Sequence, residues 1–124
     1  MGGHSKFGDV LVNYVCSVAK LRVTGLYDGI KVSNHVLMQA LNHSKVVSPP
    51  RTDKHQKGDF VEALIARAWG PLFSTEDMID IISSSFQGKD LSTRESFIDA
   101  QIEAFSVLLD LIHDSGLDTE QRRL

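Results

Sequence analysis

Apolar residues recur at spacings of three and four along most of the chain, a pattern typical of helices that pack on one face. Five such stretches predict helices over Phe7–Val23, Ser33–Asn42, Lys57–Trp69, Ser74–Gly88 and Ser92–His113. No stretch alternates between apolar and polar residues as a half-buried strand does. The sequence therefore predicts an all-α fold of about five helices, forming one domain over residues 1–124.

Residues that cap helices support these boundaries. Ser33 is a suitable N-cap, and Ser74 with Asp77 resembles a capping box. Ser92 with Glu95 is a second candidate capping box, at the start of the longest helix. The chain thus marks the start of three of its five predicted helices.

The predicted helix Lys57–Trp69 is apolar around almost its whole circumference, so we expect it to lie inside the fold. Asp59 and Glu62 are three residues apart in it and share one face. Buried carboxylates are costly unless they are paired or bind a metal ion. Asp9 follows Gly8 at the start of the first helix, in a similar setting. Two helices that present acids at matching ends are a reasonable arrangement for Mg²⁺.

Each of these acids also has a simpler interpretation. Asp59 and Glu62 would form an ordinary solvated pair if their face of the helix were exposed. Asp9 would stabilise the helix dipole if it lay in the first turn. Asn13, one turn after Asp9, is either a supporting partner of that carboxylate or an exposed residue.

Positive charge is concentrated in the predicted loop between Asn42 and Lys57, which contains Arg51 and Lys54 and ends at Lys57. One interpretation is a solvated surface loop. The other is a loop whose Arg51, Lys54 and Lys57 contact RNA phosphates, because it leads directly into the helix with the acidic pair.

The overall composition narrows the functional classes. Apolar residues make up 42% and charged residues 23% of the chain, which is ordinary for a globular protein. The net charge of −3 argues against binding nucleic acid by bulk charge alone. The single cysteine, Cys16, excludes an internal disulfide, and we expect it to be a packed thiol. No membrane-spanning segment or signal peptide is visible, so we expect a cytoplasmic protein that does not bind membranes.

Two motifs carry a resemblance to a known family. Gly8-Asp9 before an apolar helix, and Asp59 with Glu62-Ala63 some fifty residues later, resemble the E-x-x-G-D and D-x-x-E-A elements of the ribonuclease III endonuclease domain. The resemblance is firmest over residues 6–70 and is greatest to compact archaeal ribonuclease III-like proteins without an RNA-binding domain. It implies an Mg²⁺- or Mn²⁺-dependent endoribonuclease that cleaves double-stranded RNA. Asp9, Asp59 and Glu62 would be its catalytic metal ligands.

One position departs from the family pattern. Ser5 stands four residues before Asp9, where the family's first element has glutamate. Met1–His4 resembles a cloning remnant, so residues 1–5 are either tag-derived or disordered, or Ser5 is genuine and the site has lost a ligand. In the second case the alternative function is that of a non-catalytic dimeric module that binds RNA or a ribonucleoprotein.

The resemblance also implies a homodimer. The longest helix offers Phe97, Ile98, Ile102, Phe105 and Leu109 as more apolar surface than a small domain easily buries. The family pairs its catalytic domains through the helix of the first motif, which adds Phe7, Leu11 and Tyr14 as candidate interface residues.

Overall fold

The structure, a computed structural model, describes residues 3–119 and folds them into five named α-helices. The helices are α1 (Gly3–Thr24), α2 (Asn34–His43), α3 (Lys54–Ala68), α4 (Thr75–Phe86) and α5 (Arg94–Ser115). A short helical run follows at 117–119. Residues 3–119 contain no strand, only an isolated bridge between Trp69 and Phe73. The predicted all-α fold is confirmed.

Helix α3 occupies the centre of the fold. It packs against α1 on one side and α2 on the other, while α4 packs against α1 and α5, and α5 also packs against α2. All five helices contribute to one apolar core, whose largest fully buried side chains include Phe86, Phe105, Leu37, Leu64 and Ile82. Within the described range, no helix is both long enough and apolar enough to cross a membrane.

Two of the predicted caps are confirmed. The Ser33 side chain accepts a hydrogen bond from the Val36 N–H at the start of α2. Ser74 and Asp77 form a capping box at the start of α4. Cys16 is a buried thiol, as expected, and burial raises its pKa to about 12.

The predicted cap of α5 is wrong by one residue. Asp90 Oδ1 accepts hydrogen bonds from both the backbone N–H and the hydroxyl of Ser92, at 2.9 and 2.5 Å. Ser92 is thereby held in a turn before the helix, and Thr93 is the N-cap, with Ser96 completing the capping box. Local side-chain bonds to the backbone compete with capping in this way.

The starts of α1 and α3 also differ from prediction. Helix α1 begins at Gly3, four residues before Phe7, so residues 3–5 are ordered in a helix, whereas residues 1 and 2 lie outside the described range. Helix α3 begins at Lys54, because Asp53 and Gln56 form a capping box ahead of it. The predicted loop therefore ends before Lys54.

The apolar face predicted for dimerisation through α5 is mostly part of the core. Phe97, Phe105 and Leu109 are buried, and Ile98 and Ile102 are half-buried. Helices α2 and α4 cover this face within the same chain, so the expectation of an unpartnered α5 surface is wrong.

Candidate functional site

A glycine brings α1 and α3 together at the acidic residues. Gly8 is buried, and a Cβ built there would lie 2.9 Å from the Glu62 Cα and would overlap the Glu62 carbonyl oxygen. Only glycine permits this approach of a helix to the backbone of its neighbour. Asp9, the next residue of α1, is consequently held beside Glu62 of α3.

Asp9 and Glu62 form a close carboxyl pair, in which each side chain shifts the pKa of the other. The Glu62 side chain is only 6% exposed. Burial raises the pKa of Glu62 to about 7, and the hydrogen bond to Asp9 and the negative charges of Asp9 and Asp59 act in the same direction. Two acidic groups in such a setting share a proton readily, because the charged form of the buried one is disfavoured.

The pKa of Asp9, the second carboxyl of the pair, is shifted in the opposite direction. Partial burial works against ionisation of Asp9, but hydrogen bonds from Lys31 and Glu62 and the Lys31 charge hold the Asp9 pKa below its ordinary value. Lys31 Nζ lies 3.2 Å from Asp9 Oδ1. Asp9 is therefore the more acidic carboxyl of the pair, and Glu62 is the one that takes up a proton first as the pH falls.

Asp59 does not complete a compact triad with the other two acids. It is half-buried on α3, one turn before Glu62, and its charge reaches Glu62. Over residues 3–119, no three His, Cys, Asp or Glu side chains are placed closely enough to hold a metal ion between them. The predicted ligand set is thus a close pair, Asp9 and Glu62, with a third acid nearby.

The polar residues around Asp9 are both ordered on α1. Ser5 is buried in the turn before Asp9. Asn13, in the turn after it, places its Nδ2 3.5 Å from Asp9 Oδ1, and its Oδ1 accepts a 2.7 Å hydrogen bond from the Val32 N–H. Asn13 is therefore a supporting partner of the carboxylate, the first of the two interpretations of this residue.

The three basic residues predicted to contact RNA occupy two different settings. Arg51 lies in the loop before α3 with a positive φ of 61°, while Lys54 and Lys57 lie in the first turn of α3. Lys54 is exposed and Lys57 is half-buried. Lys57 precedes Asp59 by two residues, so helix α3 carries positive charge at its start and acids immediately after it.

The sequence pattern did not identify Lys31 as a neighbour of the site. Lys31 lies in the irregular segment between α1 and α2, where helical periodicity carries no information. The fold, through the packing of this segment against α1, brings it to Asp9. A glycine-containing stretch with a single lysine gives no local signal that would have revealed this contact.

An exposed apolar stripe runs along α1 beside the site. Val10 is 66% and Tyr14 55% exposed, and Phe7 continues the stripe by one turn. Phe7 contacts the ring of Trp69 at a centroid distance of 5.2 Å. Leu11, which the sequence also suggested for an interface, is buried instead.

Comparison with known protein families gives a match over most of the chain. A family model described as Ribonuclease III matches residues 2–115, which is most of the chain and includes all three acids. A search of curated proteins gave no match.

Proposed function

Because the chain belongs to the ribonuclease III family, we propose that it is an Mg²⁺-dependent endoribonuclease that hydrolyses phosphodiester bonds of double-stranded RNA. Membership of this family supports a ribonuclease function directed at double-stranded RNA. The observation that carries the finer proposal is the Asp9–Glu62 carboxyl pair, held at the α1–α3 contact by Gly8. Manganese is an alternative ion at the same site.

The donor set fits a hard divalent cation. Asp9 and Glu62 offer only carboxylate oxygens, and Mg²⁺ commonly binds through one or two carboxylates while keeping several waters. A cation bound by both carboxylates would displace the proton that the raised pKa of Glu62 favours. Asp9 and Glu62 would hold the ion, and Asp59 would add negative potential on the same face of α3. A bound Mg²⁺ would supply an activated water and offset charge on the phosphate.

The chain's own residues would then orient the reaction. Gly8 fixes the separation of the two helices, so Asp9 and Glu62 stay beside each other. Asn13 restrains the Asp9 carboxylate through its side-chain amide. Preorganised ligands of this kind are what metal-assisted hydrolysis requires from a protein.

Arg51, Lys54 and Lys57 are proposed to contact phosphates of the RNA duplex. They lie at the start of the helix that carries Asp59 and Glu62, so a strand bound there would pass the acidic pair. Replacing all three by alanine is expected to weaken duplex binding and to reduce its salt dependence by about one unit of slope per lost contact. An unchanged slope would return these residues to the solvated-surface interpretation.

A homodimer is proposed through the exposed stripe of α1. Phe7, Val10 and Tyr14 lie on the helix that carries Asp9, so pairing two copies there would place two acidic pairs in one assembly. Light scattering at micromolar concentration tests this, with Val10→Glu as the disruptive variant. A wild-type monomer under these conditions would contradict the proposal.

The deciding experiment is incubation of a labelled RNA duplex with the protein in Mg²⁺, Mn²⁺ or EDTA. Cleavage is expected with either metal and not in EDTA. Glu62→Gln should abolish it, and Asp59→Asn should weaken it. Glu103→Gln is the matched control, because this exposed acid pairs with Lys89 at the α4–α5 side of the fold. Mn²⁺ should also raise the melting temperature of wild type much more than that of Glu62→Gln.

A non-catalytic RNA- or ribonucleoprotein-binding module is the second candidate, and Ser5 is the observation that favours it. Ser5 is buried one turn before Asp9, where the family pattern has an acid. Ser5→Glu is expected to raise cleavage of duplex RNA by adding a carboxylate on the Asp9 side of α1. Duplex binding without cleavage by wild type, in either metal, would favour the binding module.

A further inference from the structure

Lys31 is an exposed cation fixed beside the acidic pair. Its Nζ lies 3.2 Å from Asp9 Oδ1, yet its side chain is 75% exposed. An exposed ion pair of this kind contributes little to stability. The side chain therefore has ample freedom to contact a molecule bound at Asp9.

The backbone on both sides of Lys31 is anchored to α1. The Ile30 N–H donates a 2.8 Å hydrogen bond to Ser17 Oγ, and the Val32 N–H donates a 2.7 Å hydrogen bond to Asn13 Oδ1. Asn13 and Ser17 are one and two turns after Asp9 on the same helix. Two side chains of α1 thus hold the segment in register, so that residue 31 stays level with the acidic pair.

A second cation shares a cavity with Lys31. The cavity has a volume of about 250 Å³ and is lined by Lys31, Ser33, Arg94 and Gln101, with Phe97 and Ile98 on its apolar side. Arg94 is the first residue of α5, and it has no acidic partner among residues 3–119. Two positive side chains therefore border one small cavity, and one of them, Lys31, also contacts Asp9.

We infer that Lys31 and Arg94 form a phosphate subsite for the RNA strand, adjacent to the phosphate cleaved at the acidic pair. Lys31 contributes the positive charge nearest Asp9, and Arg94 offers a planar donor group that matches phosphate oxygens. The inference rests on the proposed function in one respect, that the acidic pair acts on RNA.

The test is duplex binding by wild type, Lys31→Met and Arg94→Met in EDTA, measured by fluorescence anisotropy over a range of salt concentrations. Each variant is expected to bind about 3- to 10-fold more weakly at low salt and to lose about one unit of the log–log salt slope. The double variant should lose little more than either single one, because both side chains serve one phosphate. Lys31→Arg should retain binding. Lys45→Met is the matched control, since Lys45 is an exposed lysine paired with Asp114 on α5.

Other outcomes separate this inference from the proposed function. An unchanged salt slope in Lys31→Met and Arg94→Met, with cleavage by wild type, would overturn the subsite alone. Tighter Mn²⁺ binding by Lys31→Met, with unaltered RNA affinity, would also overturn it and leave Lys31 as a counter-ion of Asp9. If the two variants lose salt slope but the wild-type protein cleaves no RNA, the subsite would be supported and the nuclease proposal contradicted.

Discussion

The α1–α3 contact and the α4–α5 contact are built by opposite means. Between α4 and α5, Phe86 and Phe97 meet edge to face at 5.7 Å, and Phe86 is fully buried. Between α1 and α3, the absence of a side chain at Gly8 permits the approach, and the group it buries is the ionisable Glu62. The first contact gains free energy from apolar burial, whereas the second uses close packing to hold a carboxyl pair that is unfavourable when charged.

The largest expected loss of stability comes from a substitution that breaks the apolar α4–α5 contact. Phe86→Ala should lower the free energy of unfolding by about 3–5 kcal/mol, because it leaves a cavity at a fully buried ring. Urea unfolding measures the loss. The fraction that stays folded should keep its metal and RNA affinity, and a large drop in either would show that the two contacts are not independent.

The next largest loss of stability comes from a substitution that breaks the α1–α3 contact at Gly8. Gly8→Ala should cost about 1–3 kcal/mol of stability, because the new Cβ must push α3 away from α1. In contrast to Phe86→Ala, it should also abolish RNA cleavage by the folded fraction, since it moves Asp9 relative to Glu62. Circular dichroism with a cleavage assay follows both quantities.

Gly3→Ala is the control for this substitution. Gly3 lies on the same helix, and a Cβ there meets nothing within 4 Å. Its stability should be unchanged or slightly higher, because alanine favours the helix. If Gly8→Ala behaved in the same way, the close approach of α1 to α3 would have no energetic importance.

A smaller effect distinguishes the contacts by pH. The pKa of Glu62 is raised from 4.5 to about 7 in the folded protein. Between these values the folded state keeps a proton that the unfolded state has released, so stability falls as pH rises and the loss is complete above about pH 7. Metal-free Glu62→Gln should therefore exceed wild type in stability at pH 8, with the advantage shrinking toward pH 4.5. Melting temperatures across this range test the sign.

The smallest effect compares two helix caps. Asp53→Ala and Ser74→Ala each remove the N-cap of a capping box and should each cost about 1 kcal/mol. Only Asp53→Ala should also weaken duplex RNA binding, because it loosens the turn that carries Lys54 and Lys57. Equal RNA affinity of the two variants would place these lysines outside the RNA contact.

The fold followed from the sequence because helices of this kind have a local signal. Apolar spacing located all five helices, and short-range chemistry located the caps at Ser33 and Ser74. The errors arose where two local signals competed. Thr93 is the N-cap of α5 because Asp90 accepts a hydrogen bond from Ser92. Asp53 is the N-cap of α3, so this helix starts earlier than the apolar stretch suggests.

The site was predictable only in part, because its remaining members are brought together by tertiary packing. Asp9 and Glu62 could be named from motif and spacing, and the structure places them in contact. Lys31 could not be named, because its position depends on how an irregular segment packs against α1. Whether the acids hold a metal as a pair or with Asp59 is likewise a property of side-chain positions, which the spacing of residues 59 and 62 does not fix.

The single cysteine gives the protein an internal reporter of its own opening. Cys16 faces the core from α1, and the thiolate, the form that reacts with alkylating agents, is disfavoured at neutral pH by a pKa of about 12. Alkylation therefore requires α1 to separate from the core, and the alkylation rate reports how often this helix, which carries Asp9, opens. With no other thiol in the chain, this rate can be measured in crude mixtures or in cells by the mass increase of the intact protein.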